Sequence, residues 1–208
     1  GEFYMLGAVL AWWLTSLVDM HPAVGFGLAI LVGPLCVGTL AFASERLILK
    51  PLNYNPEATI VATIGILYII QQSVLIGFGP DARPVDAPFY FRIDFPWFGY
   101  SGYKLIVVLV AIVILLGTWY VLSRTRIGLI MRATQFDGEM AQVFGIPVNR
   151  VYAAVFAAGA MFAAVAAVLI VPIRQAHYLM GLDPLLLSFI VVIIGGLGSI
   201  RGTIIAAI

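Results

Sequence analysis

The sequence predicts an all-α fold: a polytopic transmembrane helix bundle of about six spans or part-spans, forming one domain over residues 1–208. Three observations predict it. The mean hydropathy is +1.08. Only 10% of residues are charged and 62% are hydrophobic, where soluble domains carry roughly 25% charged residues. The apolar residues also fall in runs close to the ~20 that a helix needs to cross a bilayer. A soluble domain of this length needs a polar surface that these residues cannot supply, so the lipid bilayer is the first expected partner. The net charge of +1 provides no basic footprint, which excludes nucleic acid as a partner. The single Cys36 lies in an apolar stretch and has no second cysteine to pair with.

Taken in order, the first candidate span is Phe3–Val18. Val24–Ala43, Thr59–Phe78, Leu105–Leu122 and Val151–Val171 follow, and none of these four contains Asp, Glu, Lys, Arg or His. Asn55-Pro56 and Asp183-Pro184 each put a capping side chain before a proline at the first helical position. Gly79-Pro80 closes the third span. On Val151–Val171, Gly159, Ala163 and Ala167 recur every fourth residue, the small-residue spacing that lets membrane helices approach closely.

The last span, Leu185–Ile208, is unusual. The run Leu185–Ile194 is long enough for about 15 Å of helix, half a bilayer, before Gly195-Gly196-Leu197-Gly198-Ser199 interrupts it. A discontinuous helix is therefore expected, with Gly195, Gly196, Gly198 and Ser199 lining a translocation pathway, because irregular backbone at membrane depth is tolerated where it faces protein or a cavity. Tight helix packing is the other use of such glycines. Glu2 is a second pathway candidate: an intramembrane carboxylate if its helix begins within the bilayer, a solvated end residue if it begins at the surface. The chain opens on Gly1 and stops inside an apolar run at Ile208, as expected of a piece of a longer membrane protein truncated at both ends.

Loop charge predicts orientation. With 44–58 inside, Arg46, Lys50, Arg124, Arg126, Arg132 and Arg150 are cytoplasmic, against Arg83, Arg92, Lys104 and Arg174 outside. The outer 79–104 loop is rich in aromatics, as suits an interfacial segment folded as a small hairpin. The longest inner loop is 123–150, and within it FDGEMAQVFGIP (136–147) reads as a two-turn amphipathic helix. Asp137 caps it, Glu139 favours the positive end of its dipole, Gly145 supplies a left-handed stop and Pro147 lies just beyond. Phe136, Met140, Val143 and Phe144 share one face. So short a helix is not stable alone in water. It must rest on its own bundle, on the lipid surface or on a cytoplasmic partner.

Glu139-Met140-Ala141, three residues and then Gly145 resembles the Glu-Ala-Ala-xxx-Gly loop of ABC-importer permeases, with Met for the first Ala. Its surroundings, RTRIGLIMRATQFDGEMAQVFGIPVNRV (124–151), resemble the cytoplasmic loop of branched-chain amino-acid permease subunits. GEFYMLGA (1–8), ERLILKPL (45–52), FGPDARPV (78–85) and VVIIGGLGSIRGT (191–203) are similar to the same family in the same order. The resemblance implies a further helix before Gly1 and at least one after Ile208. It implies that the inner-loop helix is a coupling helix seated on an ATPase, with Asp137, Glu139, Met140, Ala141 and Gly145 in contact and Arg132 and Phe144 flanking. It also implies two ABC ATPase subunits, a second permease subunit in a homo- or heterodimer, an extracytoplasmic solute-binding protein and a bacterial-type inner membrane.

The implied energy source can be checked against the residues. Lys50 follows Leu49 and Lys104 follows Tyr103, so no Gly-Lys pair of a P-loop exists in the sequence. The chain is expected to be no enzyme and to hold no cofactor, with ATP bound by a partner. Branched-chain or similar small amino acids are the expected cargo, with urea or short amides as the alternative. An ion-coupled carrier is the rival mechanism. Spans without acids or histidines argue against proton coupling, while sodium coupling through carbonyls, a passive channel and a transport-free scaffold stay open.

Overall fold

The computed structural model describes residues 1–17, 22–52, 55–85, 87–88, 92–95, 98–196 and 199–207. Among them, helices α1 (Glu2–Leu17), α2 (Pro22–Ser44), α3 (Pro56–Phe78), α4 (Gly102–Arg124), α5 (Arg126–Phe136), α6 (Gly138–Val143), α7 (Val148–Arg174), α8 (Leu182–Gly195) and α9 (Ile200–Ala206) account for most of the chain. Among the described residues, four helical stretches are long and apolar enough to span a membrane: Ala23–Leu52, Glu57–Phe78, Gly102–Arg124 and Val148–Arg174. The chain is a multi-pass helical membrane protein. The all-α expectation holds with one addition, the antiparallel hairpin β1 (Arg92–Phe95) and β2 (Phe98–Ser101), which pairs Arg92 with Ser101 and Phe95 with Phe98.

Local signals explain most boundaries. The Asn55 side chain accepts a hydrogen bond from the Glu57 N–H, and Pro56, which has no N–H to leave unpaired, opens α3. Gly79 ends α3 at φ 80°. Two boundaries differ from the sequence expectation. The second span does not stop near Ala43. It continues through a π-helical turn, Glu45–Leu49, and a 3-10 turn, Lys50–Leu52, which makes much of the predicted 44–58 loop helical. Asp183-Pro184 does not cap α8, whose preceding residue is Gly181; Asp183 lies in the first turn and pairs with Arg174 at 3.6 Å. Both partners are exposed, so this pair contributes little stability.

The core is built on α1, α2 and α7. In lipid, helices gain little from burying one another's apolar surface, so close van der Waals packing by small residues does the work. A Cβ added at Gly7 would fall 2.6 Å from the Ala164 Cα, so α1 can touch α7 here only through glycine. On α2, Gly38 makes room for the Met161 side chain of α7. Met5, Ala8, Ala11, Val37, Ala41, Ala160, Ala164, Ala167 and Val168 are buried around these contacts. The small-residue face of α7 is thus centred on Ala160 and Ala164. Gly159, expected on it, is exposed, whereas Ala163 and Ala167 of the expected stripe do pack into the core.

At one end of the bundle the loop after α3 clips onto the segment after α7. Arg83 N–H donates to the Ala176 carbonyl at 2.7 Å, and Ala176 N–H returns the bond at 2.8 Å. The Arg83 guanidinium lies 4.4 Å from the Trp12 ring centroid and donates to the Phe78 carbonyl at 3.0 Å. Trp12 meets Phe78 edge-on at 5.8 Å. On α4, the Tyr103 hydroxyl donates to the Leu169 carbonyl of α7 at 2.7 Å. Beyond its first turn α4 has no fully buried residue, and it touches the core through the partly buried Val107 and Val110.

Candidate functional site

The opposite end carries α5 and α6. The sequence predicted a single two-turn helix in 123–150, but the structure has two. Thr125 caps α5 by accepting the Gly128 N–H at 3.3 Å, a capping signal that the sequence reading passed over. Phe136 is therefore the last residue of α5 and not part of the α6 face. Between the helices Asp137 takes an extended conformation, φ −152°, and its Oδ1 accepts the Met140 N–H at 2.9 Å. The predicted cap is present.

The far end of α6 closes as a Schellman motif. The Gly145 N–H donates to the Gln142 carbonyl at 2.9 Å and the Ile146 N–H to the Ala141 carbonyl at 3.0 Å. Gly145 sits at φ 80°, where a Cβ would crowd the backbone.

What α6 presents outward is apolar. Met140 is 57% exposed, Val143 79% and Phe144 82%, with Glu139 exposed beside them. Ala141, expected among the contact residues, is only 4% exposed. It faces inward and anchors α6 to its own chain, which is why the outward face begins at Met140. Arg132 is exposed on α5, where its Nε donates to the Gly128 carbonyl at 3.3 Å. Beside α6 lies a polar cleft of about 550 Å³, whose lining includes Lys50, Asp137, Glu139, Gln142, Asn149 and Tyr152. The extension of α2 past Ala43 carries Lys50 there. That lysine was visible in ERLILKPL, but its place beside α6 was not. Glu45, at the start of the same extension, is buried at 2% exposure.

The second candidate region lies at the head of α1. Glu2 is only 6% exposed, and neither carboxylate oxygen has a hydrogen-bond partner among the described residues. The residue is buried, not solvated. It lines a cleft of about 490 Å³ with Thr63 and Ile64 of α3, Phe156 of α7, and Leu185 and Phe189 of α8. Phe3 packs edge-on against Phe156 at 5.8 Å beside it.

The predicted break in the last span is present: α8 ends at Gly195, Gly196 adopts φ 84°, and Ser199 caps α9 by accepting the Gly202 N–H at 3.1 Å. A Cβ on Gly195 would strike the Thr203 backbone, so α9 folds back onto the end of α8. Gly195 and Gly196 are half-buried and Ser199 is exposed; Gly198 lies outside the described residues. Gly195, Gly196 and Ser199 are not among the described residues that line the Glu2 cleft, to which α8 contributes Leu185 and Phe189.

A further irregular segment escaped the sequence reading. Residues 175–181 pass from the Trp12 level of α1, where Ala176 and His177 lie, to Gly181, which abuts Gly1. That path parallels about 16 Å of α1. Gln175 opens it at φ 63°, a conformation that non-glycine residues rarely hold. The only hint in the sequence was the end of the apolar run near Pro172.

The sequence profile of the family described as "Branched-chain amino acid transport system / permease component" matches residues 1–208. Among curated proteins, the high-affinity branched-chain amino acid transport system permease protein BraD of Pseudomonas aeruginosa is 26% identical over 226 residues, covering 100% of this chain and 71% of its own. The probable branched-chain amino acid transport permease protein LivH of Methanocaldococcus jannaschii is 28% identical, covering 99% of this chain and 66% of its own. The LivH permease of Escherichia coli K12 is 27% identical, with 100% and 71% coverage. The chain thus spans 66–71% of the length of these relatives. No solved structure gives a significant match.

Proposed function

From the premise that the chain belongs to the branched-chain amino acid transport system permease family, we propose that it is the membrane-spanning subunit of an ABC importer for branched-chain or similar small amino acids. ATP is bound and hydrolysed by separate subunits. Two permease subunits, identical or paralogous, work with two ATPases and an extracytoplasmic solute-binding protein in a bacterial-type inner membrane.

The observation that supports this reading most is the outward apolar face of α6. Met140, Val143 and Phe144 project from a helix of six residues that is closed by Asp137 at one end and Gly145 at the other. A helix this short holds its form only against a support. Its inner side rests on the chain through Ala141. Its outer side is available to an ATPase groove, with Glu139 able to meet a basic side chain and Gly195–Ser199 expected along the pathway.

The test is charge reversal at Glu139 in the assembled transporter reconstituted in vesicles. Glu139→Lys lowers amino-acid uptake per ATP hydrolysed about tenfold or more, the loss expected when a charged contact becomes a repulsion. Permease expression stays unchanged, because Glu139 is exposed. Unaltered coupling, or an assembly in which no ATPase touches α6, overturns the proposal.

A further inference from the structure

Resting on that import reading, we infer that the cleft at the head of α1 binds an α-amino acid with an apolar side chain, the Glu2 carboxylate pairing with its ammonium group. The first argument is a buried carboxylate that no hydrogen bond answers. Glu2 is buried, and neither oxygen has a hydrogen-bond partner among the described residues. Removing a carboxylate from water without replacing its hydrogen bonds is costly, and ionisable groups at membrane depth mark substrate paths because substrate can repay that cost.

The second argument is the lining. Ile60, Ile64, Leu67, Phe156, Leu185 and Phe189 offer an aliphatic and aromatic wall beside the carboxylate. Burying the carbons of an aliphatic side chain against that wall favours binding. The cleft volume of about 490 Å³ falls within the range of small-molecule sites. Thr63 is half-buried on the same wall and donates its hydroxyl proton to the Ile60 carbonyl at 2.9 Å, which leaves its oxygen as an acceptor.

The third argument is architectural. Elements α1, α3, α7 and α8 all reach this point, and the irregular segment 175–181 ends at it, with Gly181 against Gly1. Non-helical backbone at membrane depth is tolerated where it is buried in protein or lines a cavity. These features also choose between cargo classes. Urea and short amides carry neither a cation for the carboxylate nor an apolar body for the wall. A branched-chain amino acid carries both.

The test uses the assembled transporter, with its ATPase and binding-protein partners, in proteoliposomes. In a Cys36→Ser background, Thr63→Cys reacts with a small methanethiosulfonate reagent. Leucine slows that reaction at least about fivefold, as for a site held largely occupied, while urea has no effect. Glu2→Gln raises the leucine concentration needed for protection about tenfold or more, the usual cost of losing a hydrogen bond to a charged group. The inference is overturned by equal reaction with and without leucine, by protection from urea, or by protection that survives Glu2→Gln. A cysteine that never reacts also overturns it, since a protein segment or lipid chain then fills the cleft. Leucine uptake by the unsubstituted transporter is measured in the same vesicles: uptake without protection removes this site alone, and absent uptake removes the import reading with it.

Discussion

Gly145 shows how one residue can decide whether α6 exists. At φ 80° it lets the Ile146 N–H reach the Ala141 carbonyl, and any Cβ there opposes that turn. Gly145→Val therefore destabilises the motif by about 1–2 kcal/mol, the usual penalty for a left-handed L-residue. Open space surrounds the position, so strain and not collision is the cause. The expected outcome is a normally inserted permease with weaker ATPase co-purification. Wild-type co-purification would detach the α6 fold from partner binding. Asp137 and Gly145 were both legible in the sequence because capping and left-handed turns depend on residue type within one turn of helix. Ala141 was not. Its inward direction depends on how α6 lies against the rest of the chain, which spacing alone does not report.

Among the elements, the clip between the loop after α3 and the segment after α7 holds together parts of the chain more than ninety residues apart in sequence. It combines two backbone hydrogen bonds, the Arg83 stack on Trp12 and the bond to the Phe78 carbonyl. Arg83→Ala removes the stack, worth about 0.5–2 kcal/mol. It also removes the Phe78 bond while leaving the backbone pairing intact. Thermal unfolding of the purified permease in detergent is expected at a midpoint lower by about 2–4 °C for each kcal/mol lost. An unchanged midpoint would make the clip dispensable. The spans themselves were readable element by element, since uninterrupted apolar runs suffice to mark them. The extension of α2 through Leu52 and the existence of α5 were not. Both lie in mixed polar sequence, where the helical state is chosen by packing and by a threonine cap.

On the scale of the whole molecule, the apolar side chains of α3, α4 and α8 turn largely outward, as they do when lipid or further protein surrounds a bundle. Lys50 stays with α6 at one end, and Arg83 with Ala176 at the other. From the positive-inside bias we propose that the α6 end faces the cytoplasm. Sidedness is checked with a membrane-impermeant maleimide in a Cys36→Ser background. Phe144→Cys is expected to label only when the cytoplasmic face is open, and Ala82→Cys only from the outside. The reverse pattern would invert the orientation and with it the ATPase contact.

By itself the sequence determined the membrane class, the long spans, the caps and stop of α6 and the break near Gly196, because each follows from composition or from interactions within a few residues. Tertiary structure decided the rest. It set Ala164 against Gly7, carried Lys50 beside α6, buried Ala141 and gathered α1, α3, α7 and α8 around Glu2. Those outcomes depend on which surfaces meet at van der Waals distance, and a linear pattern of residues carries the period of each helix but not its rotation against its neighbours.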